Sequence, residues 1–291
     1  MLMPTHQGFF PTDDGHQLYW ERHGSRGAEP IFFLHGGPGG RSTRHHLAFF
    51  DLHRFDVILF DQRGCGRSMP HGELQHNDTG RCVDDIEALR HHLGFAKISL
   101  LGVSWGSWLA IQYQQRYPQA VLHTTLVSVF VPFAANVSTY DQGLSAALAK
   151  IKGVNAGTRP RDIHAALSSE CATQRRKAAL LWLRAMLPAK LPGMQLCLLD
   201  DFVDEEAVRA IRLELHYHVN DYFFTPAHEH LSLNANTRVI QGLQDPFGMA
   251  SVRWLRQRQD LHCRLVNAGH NAFHGGLLKA TRRALKRDRQ A

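Results

Sequence analysis

Ser104 stands in Gly102-Val103-Ser104-Trp105-Gly106, between a short apolar run and a helical pattern. A serine in a G-x-S-x-G setting is a nucleophile when it occupies a sharp turn from strand to helix, which holds its hydroxyl out from the backbone. Such a turn is strained and crowded, so small residues are needed on both sides, and Gly102 and Gly106 meet that need. The N-terminus of the following helix also favours negative charge developing beside the serine. A chance Gly-Ser-Gly turn is the alternative, and the flanking strand and helix patterns weigh against it.

A nucleophilic serine needs a base, and the base needs an orienting acid. When G-x-S-x-G joins a strand to a helix, the partners follow in the order Ser, then Asp or Glu, then His. Asp245 follows Val239-Ile240 in Gly242-Leu243-Gln244-Asp245-Pro246, and His270 follows Val266 in Asn267-Ala268-Gly269-His270. Both are predicted at strand C-termini on the same sheet edge as Ser104. The chain has 20 histidines, so position singles out His270, and most of the others read as surface or polar-core residues. A second glycine-rich segment, His35-Gly36-Gly37-Pro38-Gly39-Gly40, directly follows another apolar run. It can aim a backbone N–H, by preference that of Gly37, at the oxygen of an attacked carbonyl, with the N–H of Trp105 as second donor of an oxyanion hole. A phosphate-binding loop is disfavoured, since the spacing matches neither G-x-x-x-x-G-K-S/T nor G-x-G-x-x-G.

The elements that must position these residues are short apolar runs alternating with helical patterns, which predicts an α/β fold with a mostly parallel sheet. Asp13-Asp14-Gly15 turns an N-terminal hairpin. Ile31–Leu34, Val57–Phe60, Ile98–Leu101 and Val121–Val129 read as strands. Val83, Ile86, Leu89 and Leu93 mark one helical face closed by Gly94, and a second helix runs from the serine turn to about Pro118. From about Pro132 to Leu233 helical patterns take over, punctuated by Pro160, Pro188, Pro192 and Pro226, and strands resume at Arg238–Ile240 and Cys263–Val266. The reading is one α/β core, residues 1–132 and 234–291, interrupted by a helical insertion, residues 133–233.

Composition agrees with a globular protein: 291 residues, 44% hydrophobic and 20% charged, with 24 Gly and 12 Pro. Five cysteines (65, 82, 171, 197, 263) form no C-x-x-C pair, which predicts reduced thiols and a cytoplasmic location. MLMPTHQGFF lacks a basic and apolar leader pattern, and no run approaches a membrane span. The net charge of +7 is concentrated at the end of the chain, where Lys279, Arg282, Arg283, Lys286, Arg287 and Arg289 face only Asp288. A basic last helix suits the negative end of its own dipole. With no recognised binding motif, nucleic acid and membrane are not expected partners. Metal binding is not expected either, since His216-Tyr217-His218 and His228-Glu229-His230 place their histidines two apart, splayed on a helix.

His35–Gly40, Asp61-Gln62-Arg63-Gly64-Cys65-Gly66-Arg67-Ser68 and Gly102–Ser107 occur in the order and spacing of proline iminopeptidases, which the chain resembles from the hairpin to the last strand. The resemblance implies an α/β-hydrolase fold with a helical cap after the sixth strand, no cofactor, and a triad of Ser104, Asp245 and His270. It also implies Gly37 and Trp105 at the oxyanion hole and release of an N-terminal residue, preferably proline, from peptides or amides. Glu214-Leu215-His216-Tyr217 is similar to the family's E-x-H-Y cap segment, in which the glutamate holds the substrate's free amine. The other reading of Glu214 is an exposed helix residue beside His218 at i+4. A second family glutamate follows a tryptophan, and here that pair is Trp182-Leu183, so its carboxylate is missing. An esterase, lactonase or amidase on the same scaffold therefore stays open, as does a non-catalytic ligand-binding protein. Asp61, Arg63 and Arg67 read as residues that fix a tight loop rather than move protons.

Overall fold

The computed structural model describes residues 3–155, 157–190, 199 and 203–287; Pro192, Cys197, Asp288 and Arg289 lie outside them. Two compact units result, Met1–Val131 with Thr225–Ala291, and Pro132–Phe224.

The first unit is built on eight strands: β1 (His6–Pro11), β2 (Gln17–Gly24), β3 (Glu29–Leu34), β4 (Phe55–Phe60), β5 (Ile98–Val103), β6 (Val121–Val127), β7 (Thr237–Gly242) and β8 (His262–Val266). Their order across the sheet is β1-β2-β4-β3-β5-β6-β7-β8. The hairpin β1–β2 and the β2–β4 pair are antiparallel, and the remaining pairs are parallel. Central parallel strands lie under helices on both faces, so they read as unbroken apolar runs rather than as alternation. Accordingly Ile31–Leu34 and Val57–Phe60 are all buried.

The α-helices described in this unit are α1 (Thr79–His92), α2 (Trp105–Arg116), α7 (Pro246–Arg256) and α8 (Gly275–Arg287). Asp78 caps α1 by accepting from the Arg81 N–H at 2.8 Å, and Gly94 beyond its end takes the left-handed backbone. β6 is shorter than the run Val121–Val129 suggests. At Ser128 φ turns to +49° and the chain leaves the strand, while its N–H still donates to the Ile240 carbonyl.

The second unit, inserted between β6 and β7, is helical: α3 (Ala134–Leu148), α4 (Pro160–Leu167), α5 (Ala172–Lys190) and α6 (Glu205–Val219). It has its own core, with Leu144, Leu148, Ile163, Leu167, Trp182 and Leu215 among its buried members. Pro160 opens α4, where a missing N–H costs nothing. Pro188 does not end a helix, since α5 continues to Lys190. Residues 225–233, read from sequence as insertion, group with the first unit. Side-chain bonds hold them there: Arg258 donates to the Glu229 carbonyl at 2.9 Å, and Gln114 accepts from the N–H of adjacent Asn234 at 3.1 Å.

The four described cysteines are free thiols, Cys65 and Cys82 buried and Cys171 exposed. Among the described residues no helix is long and apolar enough to cross a membrane.

Candidate active site

β5 delivers Ser104 to the turn before α2 with φ +54° and ψ −121°, outside the ordinary regions for a residue with a Cβ. Two backbone bonds hold the turn: the Ser104 N–H donates to the Val127 carbonyl at 3.0 Å, and the Ser107 N–H donates to the Ser104 carbonyl at 2.8 Å. Gly106, in the first turn of α2, lies so close to β3 that a methyl group there would overlap the Leu34 and His35 carbonyls. The absence of that methyl lets the helix start directly beneath the serine.

The residues selected from sequence meet around this turn. His270 Nε2 lies 2.9 Å from Ser104 Oγ, and His270 Nδ1 lies 2.7 Å from Asp245 Oδ2. With Nδ1–H donating to the carboxylate, Nε2 is left bare to accept the Ser104 hydroxyl proton. Asp245 is buried and doubles as the cap of α7, its Oδ1 accepting the Gly248 N–H at 3.1 Å. Burial opposes ionisation of Asp245, but the His270 bond and charge, with the Gly248 and Gln241 donors, outweigh it and hold its pKa below the usual aspartate value.

Gln241 was not apparent from sequence. It sits fully buried in β7, donates from Nε2 to Asp245 Oδ2 at 2.9 Å and accepts the Val129 N–H at 2.8 Å. A glutamine inside a buried strand is the signal that was available, because a buried amide must be satisfied. Gln241→Leu removes one donor to a buried carboxylate, an interaction of roughly 1.5–3 kcal/mol. The expected result is a fall in kcat of about tenfold or more at nearly constant KM, measured by steady-state hydrolysis.

The glycine-rich loop passes the same point. A Cβ placed on Gly36 would come within 3.3 Å of Ser104 Cβ, and Gly37, the next residue, takes φ +135°, which a side chain would strain. The loop is tied to α2 through a polar relay unseen in the sequence. His35 Nδ1 donates to the Gly36 carbonyl at 2.9 Å, while its Nε2 accepts the Gln62 N–H at 3.1 Å. Gln62 Oε1 in turn accepts the Trp105 indole N–H at 3.1 Å. Burial lowers the His35 pKa, keeping the neutral ring that one donor and one acceptor require.

Asp61 accepts the Ser42 N–H at 2.7 Å and the Arg67 N–H at 3.0 Å. Arg67 also reaches Glu21 at 2.8 Å and stacks 4.0 Å from the Tyr19 ring. Arg63 grips Asp85 with two bonds, at 2.8 and 2.5 Å. All three therefore anchor the 61–68 loop. Burial pushes the Cys65 thiol up, opposite to the shift a reactive thiolate needs.

This arrangement, a serine hydroxyl on an imidazole held by a buried carboxylate, is able to perform acyl transfer. A family model described as the α/β-hydrolase fold matches residues 29–277. The chain is 32% identical over 309 residues to the proline iminopeptidase of Arabidopsis thaliana, covering 95% of this chain and 78% of that protein. The chain belongs to the proline iminopeptidase family of α/β-hydrolases. Similarity to the proline iminopeptidase of Xylella fastidiosa Temecula1 is 32% over 298 residues, covering 96% of this chain and 90% of the other. The solved structure of a proline iminopeptidase-related protein from Thermus thermophilus shares the fold, with TM-score 0.68, 24% identity and 98% of both chains covered.

Glu214-Leu215-His216-Tyr217 lies on α6. Glu214 is half-buried and accepts the Trp182 indole N–H at 3.2 Å. It is not paired with His218, whose ring nitrogens turn to Asp141 at 2.7 Å and to the Tyr222 hydroxyl at 3.2 Å. Tyr222 is buried and Tyr140 half-buried, and desolvation raises both phenols, with the negative charge of Glu214 adding to the effect. Leu183, on the same helix as Trp182, packs against the hydrocarbon core of the helical unit.

Proposed function

We propose that the protein is a serine aminopeptidase that releases an N-terminal residue, preferably proline, from peptides or amides. The observation that supports this most is the continuous bonding from Ser104 Oγ through His270 to Asp245, at 2.9 and 2.7 Å.

In this mechanism Ser104 Oγ attacks the carbonyl carbon of the first residue while its proton passes to His270 Nε2. The carbonyl oxygen becomes an oxyanion, held by the N–H groups of Trp105 and Gly37. Asp245 stays ionised and stabilises the imidazolium without accepting its proton. The proton on Nε2 then moves to the leaving amine nitrogen as the C–N bond breaks, leaving an ester on Ser104. Water attacks that ester and gives its proton to His270, which returns one to Ser104 Oγ as the free amino acid departs. No cofactor takes part, and the proposed location is the cytoplasm.

Glu214 is assigned to the substrate's α-ammonium, because a partly desolvated cation needs a carboxylate partner. Its bond to the buried Trp182 indole fixes one oxygen. Glu214→Gln is expected to raise KM for proline β-naphthylamide about tenfold or more, the worth of a charge-assisted bond, while a short-chain p-nitrophenyl ester is hydrolysed as before.

The deciding experiment compares proline β-naphthylamide, an N-blocked proline amide and that ester. Turnover of the free-amine amide far above the other two supports the aminopeptidase. Leu183 in place of a carboxylate favours a second reading, an esterase or amidase with relaxed amine recognition, and turnover of the ester alone would select it.

A further inference from the structure

β3 lies between β4 and β5 in the sheet, and each of these three strands ends beside the Ser104 turn. Gln62, two residues beyond the end of β4, is buried. Its N–H donates to His35 Nε2 at 3.1 Å, and its side-chain Nε2 donates to the His35 carbonyl at 3.0 Å. His35 directly follows β3 and opens the glycine-rich loop. Gln62 Oε1 accepts the Trp105 indole N–H at 3.1 Å, and Trp105 is the first residue of α2, after β5. One buried glutamine thus joins the segments that follow three strands, reaching past β3 to the far neighbour.

The joined residues carry or adjoin the two donors assigned to the oxyanion: Trp105 offers its own backbone N–H, and His35 stands two residues before Gly37. Such donors act when they lie about 2.7–3.1 Å from the developing charge, so their spacing matters as much as their presence. The loop brings little rigidity of its own, because Gly36, Gly37, Gly39 and Gly40 are glycines, the residue type with most backbone freedom to lose. It is held from outside at both ends. Gln62 takes His35, and Asp61 accepts the Ser42 N–H at 2.7 Å and the Ser42 hydroxyl at 2.6 Å. A side-chain amide suits the first task, since it donates from its nitrogen and accepts at its oxygen. A carboxylate would keep only the Trp105 bond, and an apolar side chain neither.

We propose that Gln62 is a positioning residue that fixes the separation of the Gly37 and Trp105 N–H groups, and with it the fit of the oxyanion hole to the transition state. The assignment rests on the acyl transfer proposed for Ser104, not on the identity of the acyl group. Gln62 acts through His35 and Trp105 rather than on the substrate. Because the oxyanion exists only once Ser104 has attacked, the effect belongs in kcat and not in KM.

The test is steady-state hydrolysis of proline β-naphthylamide by the parent, Gln62→Met, Trp105→Phe and the double variant, with the thermal transition of each as a check of fold. Gln62→Met keeps the length and bulk of the side chain and removes both of its bonds. It is expected to lower kcat about 10- to 100-fold at nearly constant KM, short of the roughly 10²–10³-fold lost with an oxyanion donor itself. Trp105→Phe should lose part of that, and the double variant less than the product of the two single losses. Prolinal adds to Ser104 Oγ, its carbonyl oxygen taking the negative charge as the hydroxyl proton passes to His270, whereas prolinol has no carbonyl. Gln62→Met should therefore weaken inhibition by prolinal as much as it lowers kcat, and leave inhibition by prolinol as it was. Trp105→Phe carries the same comparison if Gln62→Met does not fold. A kcat equal to the parent's, equal weakening of both inhibitors, or single losses that multiply in the double variant would overturn the proposal. If the parent leaves proline β-naphthylamide intact, the peptidase reading fails by itself. Gln62 is then tested through labelling of Ser104 by diisopropyl fluorophosphate, which forms a P–O bond, expels fluoride and sets the phosphoryl oxygen against the same donors. Labelling slowed about 10- to 100-fold in Gln62→Met supports the proposal. Labelling at the parent's rate, or a parent that is not labelled, overturns it.

Discussion

Ser104→Ala is expected to lower kcat for proline β-naphthylamide by about 10⁶-fold, the scale on which serine triads lose activity when the nucleophile is removed. The loss is steep because His270 and Asp245 act only through the hydroxyl 2.9 Å from Nε2. Without it, the imidazole has no covalent route to the carbonyl, and the two oxyanion donors alone supply the residue of catalysis. Folding should be nearly untouched, since the backbone bonds of the turn, from Ser104 N–H to Val127 and from Ser107 N–H to Ser104, do not involve the hydroxyl. Ser104→Gly makes a useful companion. A side chain at φ +54° costs roughly 1–3 kcal/mol, so the glycine variant should melt a few degrees higher while remaining equally inactive. Substantial activity in the alanine variant would remove Ser104 from the mechanism, whatever happens to stability.

The second large effect concerns stability rather than rate. Gly106→Ala should destabilise the protein by about 3 kcal/mol or more, at or beyond the top of the ordinary range for overpacking. The added methyl meets the Leu34 and His35 carbonyls, which are backbone and cannot swing aside as a side-chain tip does. Either α2 backs away from β3 or the strand end shifts. Both displace Ser104 relative to the His35–Gly40 loop, so catalysis should fall together with stability. Urea unfolding monitored by tryptophan fluorescence gives the comparison, with a lower midpoint at unchanged slope as the expected pattern. A variant with the parent's midpoint and rate would show that the close approach of helix to strand is not a requirement.

Much of the fold was legible in the sequence because it depends on local signals. The Asp-Gly turn, the four-residue apolar runs and the change of periodicity near Pro132 each report on their own neighbourhood, and the sheet is built from them. Ser104 was legible for a similar reason, since the glycines two positions away on either side record how tightly the turn is packed. What escaped were polar residues whose partners are remote in the chain. Gln62 and Trp105 are separated by 43 positions and Gln241 and Val129 by 112, and no pattern in either segment announces the other. The return from the helical insertion leaves less trace, because the regular structure in residues 225–233 is a single short 3-10 helix, Pro226–His230. Their membership of the first unit rests on bonds from Arg258 and Gln114, far along the chain.

Ser104, Asp245 and His270, with His35, Gln62 and Gln241 behind them, all belong to Met1–Val131 and Thr225–Ala291, whereas Glu214, Trp182 and Leu183 belong to Pro132–Phe224. The second group enters the gene as one uninterrupted block between two strands. A lineage can therefore rewrite or exchange that block and try new substrates without disturbing the parts that break the bond. A substitution within that block, at Leu183 for example, is the kind of change such an architecture tolerates: a trial in selectivity that leaves Ser104, Asp245 and His270 where they are.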